Sequence, residues 1–327
     1  MIMRNRFGWS LSRESIFDSC RKRYYFHYYL SWKGWKSGAP EISREAFLLK
    51  RLVSLPLWRG QLVHYIATKV LQSTRAKGRI PDQAKVLDYA SLRFEKQYQF
   101  SLDRRYLDTP KKSGGRLNID WLALFEHEYG LRITDRRLET AKSEVREGLR
   151  NLIQSGMLKR AARSDPSGWI IENIDISEFA QSFELDGVII YVKTDFIFRD
   201  ADGVLNIVDW KTFRKGKDEE SADNGQLGVY GYYAASRMNE PFTNIRMTEV
   251  NLLDSASERS FRMDKELMER SKQIITEGVE KLSSVLVGAD TGRNEPLPPE
   301  HFPPDPGPKC RFCNFNRVCP DSAASPG

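Results

Sequence analysis

The stretch Arg199-Asp200-Ala201-Asp202-Gly203-Val204-Leu205-Asn206-Ile207-Val208-Asp209-Trp210-Lys211-Thr212 decides the fold. Arg199 to Gly203 holds the Asp and Gly of a tight turn, and Val204 to Thr212 is rich in residues that suit a strand. With the strand-like Ser182 to Phe198 before it, the segment predicts a β-hairpin. Side chains alternate along a strand, so Asp209 and Lys211 project from one face. If Phe198 faces Val204, Asp195 faces Ile207 and lies diagonally from Asp209, within the ~7–8 Å over which cross-strand neighbours interact. A slip of one residue would turn Asp195 to the wrong face.

Two carboxylates at that distance repel unless a cation sits between them, and hard oxygen ligands favour Mg²⁺ or Mn²⁺. Such an ion lowers the pKa of a bound water and neutralises phosphate charge, while Lys211 suits the charge growing on the phosphorus oxygens. This is the equipment for phosphodiester hydrolysis. Taken alone, Asp-x-Lys is more often a surface ion pair on a hairpin.

Outward from the hairpin, Gln226 to Arg237 reads as a helix, Phe242 to Leu253 as a strand and Lys265 to Leu286 as an amphipathic helix. Upstream, Trp169 to Ile176 is a further strand. Residues 83–163 keep a helical pattern interrupted near Thr109 to Gly115, with Thr134 to Lys159 one long charged helix, so this part is predicted to be a helical insertion. Nearer the start, Ile42 to Leu55 and Trp58 to Ser73 are helix candidates separated by Pro56, and Trp32 to Pro40 is a loop. Ser12 to Tyr28 is a helix with Ser12 as N-cap and Phe17, Cys20, Tyr24 and Tyr28 at helical spacing, which places Cys20 on the buried face. There is no internal repeat.

At this point the chain resembles the PD-(D/E)XK nuclease superfamily, specifically its RecB-like branch. Asp195 followed across a hairpin by Asp209-Trp210-Lys211 is similar to the family's ligand and D-x-K strands. Gln226-Leu227-Gly228-Val229-Tyr230 matches its Q-x-x-x-Y helix, and Gly60-Gln61-Leu62-Val63-His64 an upstream helix that supplies a histidine to the metal. The resemblance implies an α/β (α+β) fold, a restriction-endonuclease-like central mixed sheet flanked by helices. It also implies that His64, Asp195, Asp209 and the carbonyl of Trp210 hold the metal, and that Asp195, Asp209, Lys211, Gln226 and Tyr230 form the catalytic set. The chain departs from the pattern at Val192, where relatives commonly carry Gly, and at Thr194, which replaces the proline before Asp195. Glu172 and Glu184 on the preceding strands could assist but suit a solvated face. His27, His127 and His301 lie in no such context.

Cys310-x-x-Cys313-x₅-Cys319-Pro320 stands far along the chain from Cys20. Without an export signal, four cysteines point to metal ligation rather than disulfides. A zinc ribbon brings two Cys-x-x-Cys knuckles, whereas one plus three thiolates, with proline after the last, suits a [4Fe–4S] cluster; Zn²⁺ is the alternative. Ser10-Leu11-Ser12 with Cys20-Arg21-Lys22-Arg23-Tyr24 resembles the first helix of AddB-type and CRISPR-adaptation nucleases, which implies an iron–sulfur staple joining the N- and C-termini.

At 327 residues with 40% hydrophobic and 29% charged residues, the chain is expected to fold, and no apolar run approaches the roughly 18 residues a membrane span needs. Met1 to Ser10 is polar and basic, so the expected address is cytoplasmic. Residues 1–60 hold 12 Lys/Arg against 4 Asp/Glu, an excess of +8 in a chain whose net charge is +7. Such a basic end suits phosphate-backbone binding. Tyr24 to Tyr29, Trp32 and Trp35 interleave with Arg21, Lys22, Arg23, Lys33 and Lys36, which suits base stacking as well as packing around a cluster. No Walker loop, GxGxxG turn or Ser-His-Asp set appears. Helicase motifs are also lacking, so unwinding would fall to a helicase or other protein partner.

The expected organisation is 1–60, N-terminal helices with the first cluster cysteine; 61–165, the helical region with His64; 166–260, the core sheet; and 261–327, the C-terminal helix and cysteine loop. The expected activity is metal-dependent hydrolysis of DNA, single-stranded or at free ends. The alternatives are a silent nucleic-acid-binding scaffold of the same fold and a zinc-stapled nuclease.

Overall fold

The computed structural model of the chain describes residues 5–113, 116–171, 181–214 and 225–321. Its α-helices are α1 (Leu11–Ser19), α2 (Arg21–Tyr25), α3 (Glu41–Leu49), α4 (Leu55–Lys77), α5 (Gln83–Leu102), α6 (Phe125–Glu128), α7 (Asp135–Gln154), α8 (Gly156–Ala162), α9 (Gly225–Arg237) and α10 (Lys265–Ser283). Its strands are β1 (Lys112–Ser113), β2 (Arg116–Leu117), β3 (Ile170–Ile171), β4 (Gln181–Leu185), β5 (Val188–Val192), β6 (Phe196–Arg199), β7 (Leu205–Lys211), β8 (Ile245–Asn251) and β9 (Ser257–Arg262). Two compact units emerge. One comprises Met1–Leu52, Phe183–Tyr191 and Gln273–Gly327, the other Val53–Ser182 and Val192–Lys272.

The larger unit is built on a five-stranded sheet of order β3-β6-β7-β8-β9. Only β7 and β8 run parallel, and α9 is the crossover that parallel neighbours require. Phe196, Phe198, Val208, Trp210, Val250 and Leu252 share a core with Trp58, Leu62 and Ile66 of α4, Phe94 of α5 and Leu149 of α7. Met247 faces the other way, against Gly231 of α9. The sheet is therefore covered on both sides, which is why β7 is buried from Leu205 to Trp210 instead of alternating. This is a mixed α/β architecture, a central mixed sheet flanked by helices in the restriction-endonuclease-like manner. Among the described residues no helix is long and apolar enough to cross a membrane.

Several boundaries differ from the sequence expectations. Pro56 does not separate two helices but sits in the first turn of α4, where its missing N–H costs nothing. The long helix expected over Thr134 to Lys159 breaks at Ser155, whose hydroxyl donates to the Leu152 carbonyl (2.7 Å) and accepts from the Leu158 N–H (3.1 Å). The strand expected from Ser182 to Phe198 is interrupted by Asp186-Gly187, both at positive φ, so β4 and β5 form their own hairpin. Glu172 to Ile176, the end of another expected strand, lies outside the described residues. The edge strand β9 has no counterpart among the sequence expectations, because Ser257-Glu258-Arg259-Ser260-Phe261-Arg262 lies largely at the surface and carries little apolar signal. Phe198 pairs with Asn206 rather than Val204. That two-residue shift preserves the face of every side chain, and Asp195 immediately precedes the last pair of the ladder, Phe196↔Val208.

In the smaller unit the first helix is likewise broken. Ser10, not Ser12, caps α1, and Cys20 has extended backbone (φ −175°, ψ 117°) between α1 and α2. Cys20 is thus half-buried at a junction instead of on a continuous buried face. Trp9 is fully buried and bonded to the backbone of Ile189 and Tyr191. Its indole N–H donates to Glu14 (2.9 Å), and Glu14 pairs with Lys281 of α10 (2.6 Å). Gly278, on α10, packs so closely on the Trp9 indole and the Glu14 carboxylate that a Cβ there would overlap both. Since the indole cannot swing away, Gly278→Ala is expected to cost about 1–3 kcal/mol in urea unfolding, as overpacking does. An unchanged midpoint would mean that α10 yields.

Candidate active site

β7 delivers Asp209 and Lys211 at the end of its buried run. Val208 and Trp210 point into the α4, α5 and α7 core, so alternation puts Asp209 and Lys211 on the α9 face. Asp195 lies just before β6, and the Trp210 N–H donates to its Oδ2 at 2.7 Å. His64 Nδ1 of α4 is 2.9 Å from its Oδ1. Asp209 Oδ2 is 2.6 Å from Lys211 Nζ. Lys211 Nζ donates to Gln226 Oε1 at 2.8 Å, and Gln226 Nε2 donates to Tyr230 Oη at 2.7 Å. The structure thus brings together His64, Asp195, Asp209, Trp210, Lys211, Gln226 and Tyr230, with Trp210 engaged through its N–H rather than its carbonyl.

Both carboxylates are nearly inaccessible, Asp195 at 7% and Asp209 at 5% exposure. Burial works to raise the carboxyl of Asp195, but His64, the Trp210 N–H and Lys193 hold it below the ordinary value. Asp209 is pushed up to about 6, first by burial and then by the charge of Asp195, against the pull of Lys211. Its Oδ2 has the ion pair with Lys211 but no contact that meets hydrogen-bond geometry. A buried carboxylate oxygen without a hydrogen bond, beside a second buried carboxylate and an imidazole, is a donor set that fits a hard divalent cation. Among the described residues no three His, Cys, Asp or Glu side chains are gathered tightly enough to hold an ion without adjustment.

Some supporting residues carry no motif. Thr194, where relatives place proline, donates both its N–H (2.9 Å) and its hydroxyl (2.8 Å) to Gln181 Oε1. Proline could make neither bond, so the departure has a structural use. Arg59 donates to the Thr212 carbonyl (2.6 Å) and pairs with Glu144 of α7, fixing the chain just beyond Lys211. Arg59 stands next to Gly60 of the helix motif, while Gln181 and Glu144 carry no signal in the sequence. Glu184 is exposed on β4, and Glu172 lies outside the described residues.

In the smaller unit Cys20, Cys310, Cys313 and Cys319 line one cavity with Arg23, Lys309 and Phe315. None is in a disulfide. Burial raises the thiols of Cys313 and Cys319. The Arg23 N–H meets Cys20 Sγ at 3.5 Å, and backbone N–H groups of Phe315 and Asp321 face the sulfurs of Cys313 and Cys319. Four thiols thus share one cavity and three of them are met by N–H groups, which is the chemistry of a thiolate ligand set, although no three are gathered closely enough to hold a metal ion as they stand.

No curated protein matches the chain in sequence. Among solved structures it is similar to SSO0001, at 16% identity over 72% of this chain and 97% of that one, with a TM-score of 0.31. It is also similar to a protein described as a candidate exonuclease from Eubacterium rectale, at 14% identity over 80% and 89% of the two chains, again with a TM-score of 0.31. At that TM-score neither likeness bears on function. A sequence model of the PD-(D/E)XK nuclease superfamily, in contrast, matches residues 8–320 and so takes in every residue of the site just described. The chain belongs to the PD-(D/E)XK nuclease superfamily and is a phosphodiester hydrolase.

Proposed function

We propose that this chain is a metal-dependent deoxyribonuclease of the RecB-like branch, acting on single strands or free ends, with a structural [4Fe–4S] cluster. The observation that carries the reading is the pair of buried carboxylates, Asp195 and Asp209, with the Lys211 ammonium 2.6 Å from Asp209 Oδ2. His64, Asp195, Asp209 and the Trp210 carbonyl would hold Mg²⁺ or Mn²⁺, which supplies Lewis acidity and charge neutralisation when bound.

The remaining work falls to the chain's own side chains. Lys211, held from behind by Gln226, presents its ammonium to a non-bridging phosphate oxygen as charge develops there. Tyr230 keeps Gln226 oriented and so fixes Lys211 indirectly. The +8 excess within residues 1–60 supports a polyanionic substrate. For the cysteines, a cluster joining Cys20 to Cys310, Cys313 and Cys319 would tie the first helices to the C-terminal segment. Its role in this reading is cross-linking, as with a long-loop disulfide.

End-labelled single- and double-stranded DNA should be cut with Mn²⁺ or Mg²⁺ and left intact in EDTA. Lys211→Ala and Asp209→Ala should each lose at least about 10²-fold while remaining folded. Undiminished cutting by Lys211→Ala would sink the mechanism, and a metal-blind, uncut substrate throughout would favour a silent scaffold.

Burial of Asp209 also has a pH signature. Its folded pKa of about 6 exceeds the usual carboxylate value of 3.8, so the folded state binds the extra proton and metal-free stability falls as pH rises through that window. Asp209→Asn should therefore stabilise the metal-free protein at pH 8, by the order of 1–3 kcal/mol, and lose that advantage near pH 4. Parallel melting curves for the two proteins across this range would contradict it.

Anaerobically purified protein should be brown and contain about four irons per chain. Cys20→Ala should be poorly soluble or readily proteolysed. Zinc without iron in such preparations would replace the cluster by a zinc staple.

A further inference from the structure

We propose that the turn from Ser31 to Pro40, in the smaller unit, is a stacking platform for single-stranded DNA with Trp35 as its base-contacting residue. The inference rests on the nucleic-acid reading above and names a second contact for that substrate, separate from the hydrolytic residues.

Among the aromatics at the N-terminal end, most are committed to packing. Tyr24 and Phe26 are buried. Tyr25 and Tyr29 lie against Phe302, with centroids 5.0 and 5.9 Å away, and the Arg13 guanidinium lies over Tyr28. Trp35 is different. Its ring meets Trp32 edge to face at 5.1 Å and Phe47 at 5.6 Å, yet 42% of the residue stays exposed. It is thus oriented by two aromatic neighbours without being consumed by them.

The turn holding it is closed by its own backbone hydrogen bonds. Trp32, Gly34, Lys36 and Ala39 N–H groups bond to the carbonyls of Tyr29, Ser31, Lys33 and Lys36 at 3.0–3.1 Å. Lys33 adopts the left-handed region (φ 62°), and Gly34 packs on the Ser43 carbonyl where no Cβ would fit. A pre-formed surface avoids an ordering cost on binding.

Charge selects the occupant. Trp32, Lys33, Trp35, Lys36 and Pro40 line one concave surface, with both lysines exposed. Lys50 and Arg51 sit over the Phe47 ring at 5.5 and 5.1 Å. From Arg21 to Arg51 there are eight Lys/Arg against two Glu, and Glu45 is paired with Arg317. An indole amid cations suits unpaired bases on a phosphate backbone, since duplex DNA keeps its base faces covered.

The test is anisotropy of a labelled oligothymidylate with the full chain in EDTA, where no strand is cut. Trp35→Ala should bind about 5- to 150-fold more weakly, the loss of one stacked base, and Trp35→Phe should recover most of it. Changing Lys33 and Lys36 together to Gln should flatten the plot of log affinity against log salt by about 0.7 for each phosphate that is no longer neutralised. Because binding is read without turnover, Trp35-dependent affinity in a protein that never cuts DNA keeps the platform and removes only the nuclease proposal. Unchanged affinity and salt slope in variants that melt like the parent would overturn the platform, whether or not the protein cuts DNA.

Discussion

Two neighbouring carboxylates held out of water are the constraint around which the larger unit is arranged. Asp195 immediately precedes β6, Asp209 lies on its partner strand β7, and both are almost wholly buried. Charge in such a place is costly unless it is paired or hydrogen-bonded. The compensating groups come from different elements: an imidazole from α4, a backbone N–H from β7 itself, and an ammonium steadied by α9. Where α4 and α9 meet the sheet is therefore an electrostatic matter as well as one of packing. Asp209 remains under-compensated, its carboxyl held above the ordinary value by burial and by the charge of Asp195.

The helices beyond the sheet take part in this arrangement. The carboxylate of Glu126, itself buried, accepts the Leu55 N–H at the start of α4 and pairs with Arg137, so one acid serves a helix terminus and a cation at once. Glu144 and Glu147 of α7 bind Arg59 and Arg214, which reach the carbonyls of Thr212 and Leu253 just beyond β7 and β8. The segment that looks like an insertion in sequence thus braces the strand ends that carry the site. Close contact at Gly60, where a Cβ would meet the Thr212 hydroxyl at 2.9 Å, keeps α4 near the same point.

The smaller unit follows a different logic. Its first and last segments are held by ordinary contacts: the Lys22 N–H to the Pro303 carbonyl, Tyr29 to Asn294, Lys309 to the Ser19 carbonyl, and Phe26 on Phe315. The cysteine-lined cavity sits within that framework. Placing Cys20 at a helix break lets its sulfur cap α2 by accepting the Arg23 N–H, which a position inside a continuous helix would not allow.

What the sequence determined by itself was local or motif-borne. The β7 strand, the α9 helix, the turn at Asp200 and the face shared by Asp209 and Lys211 follow from neighbours along the chain, because side-chain period and turn chemistry are short-range properties. The Asp186-Gly187 turn, which splits the strand expected from Ser182 to Phe198, was hidden by the strand-forming residues on either side of it. The tertiary structure alone decided the register of β6 on β7, the division of α7 from α8, and which N-terminal aromatics are buried. It also decided that Thr194 binds Gln181 and gave the direct contact between His64 and Asp195, which the resemblance implied only as two ligands of one metal. Each of these depends on which distant backbone and side-chain groups satisfy a buried polar atom or fill a core, and a pattern read along one strand or helix cannot contain that partner.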